Sequence, residues 1–247
     1  MADMEAGTFL DLGGNIGCIS LPLAKRFPDW RVITVEGHRG LSQVLATNAF
    51  SNHLYNVEVV RAAVGETEGI IDFPEPPLRT NGNFGVLSLA KGPDHPTSRV
   101  LMQRVDDLAT PDTRIIKMDI EGYEATALRG ATATLAAKRS ILFLESNPKF
   151  GTSAVEANAL LLAAGYRLFS FFSPSAHITA PPKRPKENAK ISGDPSVLAL
   201  PPGVENIWNL PPLLTADQPQ PVRASDFKYL ARYGYRVAGA GRGTPSV

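Results

Sequence analysis

Short apolar runs alternate with helical patterns along most of this chain. The runs are rich in β-branched and aromatic side chains, which is typical of buried strands, and between them apolar residues recur at the spacing of a helix face. Strands that alternate with helices predict an α/β fold, a doubly wound, mainly parallel sheet with helices on both faces. A seventh strand is either Val197–Leu200 or Ile207–Leu210, because the pattern fits both. The other predicted strands are Phe9–Leu12, Arg31–Val35, Val57–Val60, Arg114–Met118, Ser140–Leu144 and Tyr166–Phe172.

A glycine-rich turn follows the first strand. Gly13, Gly14 and Gly17 allow a tight turn and a close approach of the backbone to a ligand. The next helix opens over Asn15 to Ser20. A strand, a glycine turn and a helix together form the nucleotide-cofactor loop of α/β sheets, whose ligand lies over the carboxyl end of the strand. The alternative is an ordinary strand-to-helix turn that needs glycine for its geometry.

Asp11 bears on the kind of ligand. It stands two residues before Gly13, where a carboxylate would repel the pyrophosphate that a dinucleotide places on the helix N-terminus. S-adenosylmethionine carries a sulfonium and an ammonium instead, and a nearby carboxylate suits both. The loop therefore favours a methyl donor, unless Asp11 faces away and caps a neighbouring turn.

Two further features are expected at the same edge of the sheet. Glu36 ends the second strand about 20 residues beyond the glycine turn, where such folds place an acid against the ribose hydroxyls. A carboxylate can accept a hydrogen bond from each hydroxyl of a diol, although a solvated acid at a strand end is the alternative. Ala62 and Ala63 follow the third strand and leave room for a flat ring such as adenine. Small residues there are equally compatible with tight packing.

A second group of acids follows the fourth and fifth strands. Asp119, Glu121 and Glu124 come directly after the fourth strand, and Glu145 ends the fifth. The carboxyl ends of parallel strands share one edge, so we expect these acids beside the glycine turn. They would orient a cationic cofactor there, and an acid in an apolar setting would serve as a base. Two alternatives stay open, namely stabilisation of a helix N-terminus, which covers Glu124 best, and binding of Mg²⁺.

The chain is expected to form a single domain over residues 1–210, followed by a C-terminal tail over residues 211–247. Prolines interrupt residues 73–99, which we expect to pass over the carboxyl edge of the sheet and to shape a substrate pocket; a plain surface loop is the alternative. Residues 173–193 form a basic, proline-bearing loop. The tail mixes arginines with tyrosines, a composition that can contact nucleic acid or acidic lipid but more often packs its rings on the domain.

Composition excludes several classes of function. The chain has 247 residues, 43% of them hydrophobic, and a formal net charge of +1, so no global field attracts nucleic acid or a membrane. A single cysteine excludes an internal disulfide and fits a reducing compartment. The histidines have no metal-ligand spacing, and no metal site is predicted. No signal peptide or membrane-spanning run is recognisable, so we expect a cytoplasmic protein.

Two stretches together resemble the signature sequences of FkbM-type methyltransferases. They are Phe9 to Gly17, with the sequence FLDLGGNIG, and Ile116 to Glu124, with the sequence IKMDIEGYE. The pair, in this order and spacing, is far more specific than a glycine turn alone. The resemblance covers about Thr8 to Phe172, and shorter matches accompany it at Asn48, Asn52, Ala62–Gly65, Val105–Leu108 and Leu128–Ala131.

The resemblance implies a class I, S-adenosylmethionine-dependent fold whose last strand runs antiparallel to the others. It also implies methyl transfer to a hydroxyl of a sugar, lipid or secondary metabolite, that is, to a small-molecule or glycan acceptor. His38 departs from the family pattern, which usually has proline there, and we expect it to alter the adenosine rim. The implied cofactor-binding residues are Asp11, Gly13, Asn15 and Gly17 around the methionine part, Glu36 at the ribose, Ala62 or Ala63 at the adenine and Asp119 near the methyl group.

Asp119 and Glu121 are the predicted catalytic residues. Asp119, at the end of the strand beside the glycine turn, would either orient the cofactor or accept the acceptor's proton. Two other functions stay open. A nicotinamide-dependent oxidoreductase is disfavoured by Asp11 and by the lack of a Tyr-x-x-x-Lys pair, and a non-catalytic binding module would retain the fold without the reaction.

Overall fold

The computed structural model describes residues 1, 4–79, 89, 96–146, 152–174, 193–221 and 226–233. Within them, the strands are β1 (Thr8–Leu12), β2 (Arg31–Val35), β3 (Val57–Val60), β4 (Ala63–Val64), β5 (Gly69–Pro74), β6 (Thr97–Gln103), β7 (Thr113–Met118), β8 (Ile141–Glu145), β9 (Arg167–Pro174), β10 (Gly193–Leu200) and β11 (Pro212–Leu213). The helices are α1 (Ser20–Arg26), α2 (Arg39–Ser51), α3 (Val105–Leu108), α4 (Glu124–Arg129), α5 (Thr132–Ala137) and α6 (Thr152–Ala163), and a 3₁₀ helix spans Lys228–Tyr233.

The main sheet has eight strands in the order β11-β9-β10-β8-β7-β1-β2-β3. From β8 to β3 all neighbouring strands are parallel, whereas β10 is antiparallel to both of its neighbours. The parallel strands end at one common edge, and the direction of the chain's progress across the sheet reverses between β1 and β7. A ligand of an open α/β sheet binds in the crevice at such a reversal.

The predicted α/β fold is confirmed, with one strand more than the sequence pattern indicates. The last long strand is β10, so Val197–Leu200 is the correct one of the two candidates, and its antiparallel direction agrees with the family resemblance. Ile207–Leu210 forms no strand. The additional strand is β11, which has only two residues and pairs with β9.

A second sheet, of three strands in the order β4-β6-β5, extends into the segment that the prolines mark as an excursion. The pairing of β5 with β6 is antiparallel, from Gly69 opposite Met102 to Pro74 opposite Thr97. The sequence pattern does not predict β6, because only Val100 and Met102 of its seven residues are buried and the apolar signal is weak. Residues 80–88 and 90–95 of the excursion and residues 175–192 of the basic loop lie outside the described residues.

Both faces of the main sheet carry helices. Alternate side chains of β1 point to opposite faces, so Phe9 belongs to one buried cluster and Leu10 to another. The cluster of Phe9 includes Leu21 and Ala24 of α1, whereas the cluster of Leu10 includes residues of α4, α5 and α6. This two-sided burial fixes the sheet and leaves its carboxyl edge free for a ligand.

Part of the C-terminal segment packs on the sheet. The ring of Tyr229 stacks on Phe171 with centroids 5.0 Å apart, and its hydroxyl bonds to the backbone of Phe172. Phe227 and Leu230 are buried against Phe172. The C-terminal segment therefore extends the hydrophobic core past residue 210 and packs the rings of Phe227 and Tyr229 on the domain.

Candidate functional site

The glycine turn after β1 runs against the residue that follows β7. Gly13 has a φ of +83°, and a Cβ atom there would lie 2.0 Å from the carbonyl oxygen of Asp119. The N–H groups of Gly13 and Gly14 both donate to the carbonyl of Val35 at 3.0 Å. Only glycine satisfies both the backbone conformation and the close approach, so this turn can bring the ends of β1, β2 and β7 together.

Glu36, directly after β2, is tied to the glycine turn. Its Oε2 accepts the N–H of Asn15 at 2.9 Å, and its Oε1 accepts the N–H of His38 at 2.8 Å. Burial raises the pKa of Glu36 above its ordinary value, and these two hydrogen bonds oppose the rise. Each carboxylate oxygen has a second lone pair, so Glu36 keeps the capacity to accept from two hydroxyl groups.

His38 stands where the family resemblance implies a proline. Its N–H bonds to Glu36, and a proline could not supply this bond because it has no N–H. Its ring caps α2, since Nδ1 accepts the N–H of Leu41 at 3.2 Å while Nε2 donates to the carbonyl of Pro76 at 2.9 Å. His38 therefore connects the acid after β2 to the segment that follows β5.

The acids after β7 lie in a tightly bonded loop. The N–H of Asp119 donates to the carbonyl of Leu12 at 3.0 Å. Oε1 of Glu124 accepts the N–H groups of Ile120 and Gly122, each at 3.2 Å. Burial raises the pKa of Glu124 above its ordinary value. The side chain of Glu124 thus holds this loop in place through two hydrogen bonds. Its position in the sequence indicates only that it stabilises the N-terminus of the following helix.

Three carboxylates converge beside this loop. One oxygen each from Asp119, Glu121 and Glu145 lies within 4.8 Å of the others. Their exposure differs, because the Asp119 side chain is 45% exposed and Glu121 is 8% exposed. The structure therefore brings together the two predicted catalytic residues and Glu145 of β8, which the sequence analysis expects at the same edge of the sheet. Such a group can accept a proton, and carboxylate oxygens also suit a hard cation.

Asp11 faces a lysine. Asp11 on β1 is opposite Lys117 on β7, and Nζ of Lys117 lies 3.0 Å from Oδ1 of Asp11. The same Nζ lies 3.4 Å from Oδ2 of Asp119 and 3.4 Å from the carbonyl oxygen of Gly13. Burial alone would lower the pKa of Lys117, but the two carboxylates outweigh it and the pKa is raised. Sequence reasoning missed Lys117, although its place two residues before Asp119, on the same face of the strand, is a usable signal.

A pocket of about 720 Å³, open to solvent, lies over the carboxyl ends of β1, β2 and β7. Asp11 and Gly17 are not among the residues that line it, because Asp11 bonds to Lys117 and Gly17 lies against Leu21. The other predicted site residues do line it, and these are Gly13, Asn15, Glu36, Ala62, Ala63, Asp119 and Glu121.

The charged side chains that line this pocket are all acidic. They are Glu36, Asp119 and Glu121, and no lysine, arginine or histidine lines the pocket in the described part of the chain. Phe73 and Leu89 of the excursion complete an apolar wall beside the two alanines. An anionic pyrophosphate would be repelled here, whereas a cation that also carries a diol and a flat ring fits the charge, the hydrogen-bond acceptors and the apolar wall.

Comparisons with known proteins show the family and the fold of this chain. The family model of the FkbM methyltransferase domain matches residues 11–168. Among solved structures, the chain is similar to a methyltransferase FkbM from Methylobacillus flagellatus KT, with 18% identity and a TM-score of 0.52 over 80% of this chain and 45% of that chain. It therefore spans less than half the length of that relative, and at this identity the likeness establishes the fold.

A second solved structure, precorrin-6y C5,15-methyltransferase from Geobacter metallireducens GS-15, matches at 14% identity with a TM-score of 0.46, over 78% of each chain. A search of curated protein sequences finds no match. Among the helices that the structure describes, none has the length and apolar character needed to cross a membrane.

Proposed function

We propose, on the premise that this chain belongs to the FkbM methyltransferase family, that it methylates a hydroxyl group of a sugar, a lipid or a secondary metabolite. The family model matches residues 11–168, more than half of the chain, so the chain belongs to this family. Members of this family depend on S-adenosylmethionine, and that compound is therefore the cofactor. The proposal concerns the acceptor, the residues that carry the reaction and the activity of the whole protein.

The observation that carries the proposal is the acidic pocket over the glycine turn. Glu36, Asp119 and Glu121 line it without a basic side chain from the described residues. S-adenosylmethionine is a cation at its sulfonium and ammonium, so three carboxylates favour it over the anionic dinucleotide of an oxidoreductase. The same arrangement disfavours the nicotinamide alternative independently of the family match.

Different residues would hold the ribose, the adenine and the methionine part of the cofactor. Glu36 would accept hydrogen bonds from the ribose hydroxyls, since each of its oxygens keeps a free lone pair. Ala62 and Ala63 would leave room for the adenine, with Phe73 as an adjoining apolar wall. Gly13 would allow the methionine part to approach the turn closely. When bound, the cofactor supplies a methyl group on a positively charged sulfur, which is a good leaving group.

Two acids would orient the cofactor and accept the proton of the acceptor. Asp119, exposed to the pocket and 3.4 Å from Lys117, would orient the positive end of the cofactor. Glu121, which is more deeply buried, would accept the proton of the acceptor hydroxyl while the oxygen of that hydroxyl bonds to the methyl carbon. Transfer of the methyl group to that oxygen would give a methyl ether and S-adenosylhomocysteine. Alignment of donor and acceptor is then the protein's main contribution.

Asp11 has a different place in this scheme from the one its sequence position indicates. Its carboxylate is compensated by Lys117 and does not line the pocket. It would support the methionine part of the cofactor only through Lys117 and the glycine turn. Gly17, which also lies outside the pocket lining, would act on the turn's geometry alone.

Calorimetric titration tests the cofactor part of the proposal. S-adenosylmethionine and S-adenosylhomocysteine should bind and raise the unfolding temperature by mass action, and NAD should do neither. Stabilisation by NAD alone would instead support the oxidoreductase. A methyl-transfer assay against a library of sugars, lipids and secondary metabolites tests the acceptor. Cofactor binding without transfer to any member of a broad library would favour the non-catalytic binding module.

A further inference from the structure

We infer that Lys117 is a positioning residue of this site, which holds the Asp119 carboxylate and the Gly13 carbonyl in place for the cofactor. The inference rests on the proposed function, because it assigns a role within the same methyl-donor site. Lys117 does not line the pocket, so it would act through its two neighbours.

The geometry places one ammonium among three oxygens of the site. Nζ of Lys117 lies 3.0 Å from Oδ1 of Asp11, 3.4 Å from Oδ2 of Asp119 and 3.4 Å from the carbonyl oxygen of Gly13. An ammonium has three N–H donors, which matches this number of oxygens. Asp119 and Gly13 line the pocket, whereas Asp11 does not, so Asp11 serves as the buried anchor of the lysine.

The strands fix this arrangement from both sides. Asp11 and Lys117 are direct neighbours across the parallel pair of β1 and β7, and Asp119 lies two residues further on the same face. The Asp11 side chain is 1% exposed and that of Lys117 is 11% exposed, so neither moves freely. A rigid anchor of this kind can restrict the exposed Asp119 side chain, which would otherwise sample several rotamers.

Stability alone does not account for a buried ion pair at this place. Replacing a buried pair by uncharged groups of similar volume is often neutral for stability, because burial removes two charges from water. Removing one partner is costly, because the other charge is left without compensation. A variant that removes both charges together therefore separates a role in the site from a role in the fold.

The charge balance supports the same role. Burial raises the pKa of Asp11, and the Lys117 ammonium opposes that rise. With all three groups ionised, Asp11, Lys117 and Asp119 carry one net negative charge, and the Asp119 carboxylate is the one that reaches the pocket. Lys117 thus compensates the buried acid and leaves one carboxylate for the positive end of the cofactor. Without the lysine, Asp119 keeps its charge but loses its partner at 3.4 Å.

The experiment measures S-adenosylmethionine affinity in a double-mutant cycle. The paired substitution Asp11→Asn with Lys117→Met is made both with and without Asp119→Asn, and binding is measured calorimetrically in the absence of an acceptor. Unfolding temperatures are recorded for every variant. Asp106→Asn is the control for a general loss of stability, because Asp106 caps α5 through the N–H groups of Ala133 and Thr134 and does not line the pocket.

We expect the paired substitution to leave the unfolding temperature near that of the wild type and to weaken binding by about 10- to 100-fold. In the presence of Asp119→Asn the further loss should be smaller, because only the contact of Lys117 with the Gly13 carbonyl then remains to be removed. Asp106→Asn should lower the unfolding temperature and leave affinity unchanged.

Wild-type affinity of the paired variant would overturn the inference, and so would an equal loss with and without Asp119→Asn. If the paired variant does not fold, Lys117→Arg is measured instead, because the larger guanidinium group of arginine moves the positive charge away from Asp119. Wild-type affinity of Lys117→Arg would also overturn the inference. If the wild-type protein itself does not bind S-adenosylmethionine, the proposed function is contradicted. That outcome differs from failure of the inference about Lys117, in which the wild type binds and the paired variant binds equally well.

Discussion

The backbone N–H of Asn15 donates a hydrogen bond of 2.9 Å to Oε2 of Glu36. This bond connects the glycine turn after β1 to the acid after β2. The other oxygen of Glu36 accepts the N–H of His38, so the carboxylate is held from two sides before a ligand binds. A preorganised acid loses less entropy on binding than a mobile one, which makes its contribution to affinity measurable by substitution.

Glu36→Ala should weaken S-adenosylmethionine binding by about 1.5–3 kcal/mol, the range for hydrogen bonds to a charged group. Calorimetry gives the affinity, and thermal unfolding checks that the fold is retained. Glu58→Ala is the matched control, because Glu58 on β3 is exposed and pairs with Arg31 at the surface. A wild-type dissociation constant for Glu36→Ala would place the ribose elsewhere.

Gly13→Ala should destabilise the protein and abolish measurable cofactor binding. The positive φ alone costs a side chain about 1–2 kcal/mol, and the added Cβ would lie 2.0 Å from the carbonyl oxygen of Asp119, so the turn must shift. Gly203→Ala isolates the first effect, because Gly203 has a φ of +87° and no atom within 4 Å of an added Cβ. Denaturant unfolding compares the two variants. Equal losses of stability would show that the close approach to Asp119 is not restrictive.

Glu121→Gln should lower turnover by about 10²–10⁴ while cofactor affinity stays nearly unchanged, because an amide cannot accept the acceptor's proton. Asp119→Asn should lower affinity and turnover together, because it removes the charge that orients the cofactor. Single-turnover rates with an acceptor from the screen, together with binding constants, distinguish the two patterns. The opposite pattern would exchange the two roles, and wild-type values for Glu121→Gln would direct attention to Glu145.

Glu124→Gln should change how stability depends on pH. Folding raises the pKa of Glu124 above 4.5, so its protonated form is favoured in the folded state. Its contribution to stability is therefore fully present below pH 4.5 and is lost as pH rises through the folded-state pKa. As pH rises from 4.5 through that pKa, the unfolding temperature of the wild type should fall relative to that of Glu124→Gln. Glu68→Gln, at an exposed position, is the matched control. A constant difference across this pH range would contradict the raised pKa.

Local patterns in the sequence are enough to predict the framework of the site. The glycines from Gly13 to Gly17, the acid Glu36 after the second strand and the acids from Asp119 are all local signals, because each follows a short apolar strand. A parallel sheet necessarily gathers such strand ends at one edge, so their proximity followed from topology without any knowledge of side-chain contacts. The second sheet was less visible, since β6 buries only two of its side chains.

Tertiary structure alone decided what each acid contacts. The charge of Asp11 is evident in the sequence, but its partner depends on the register that sets Asp11 opposite Lys117, 106 residues later in the chain. The approach of Glu145 to Asp119 and Glu121 depends likewise on the pairing of β8 with β7. Register is set by the packing of whole strands between two layers of helices, and a shift of one residue would turn Asp11 to the opposite face of the sheet. For that reason the positions of the carboxylates are evident in the sequence. Only the assembled sheet shows that Lys117 compensates Asp11, whereas Glu36, Asp119 and Glu121 line the pocket.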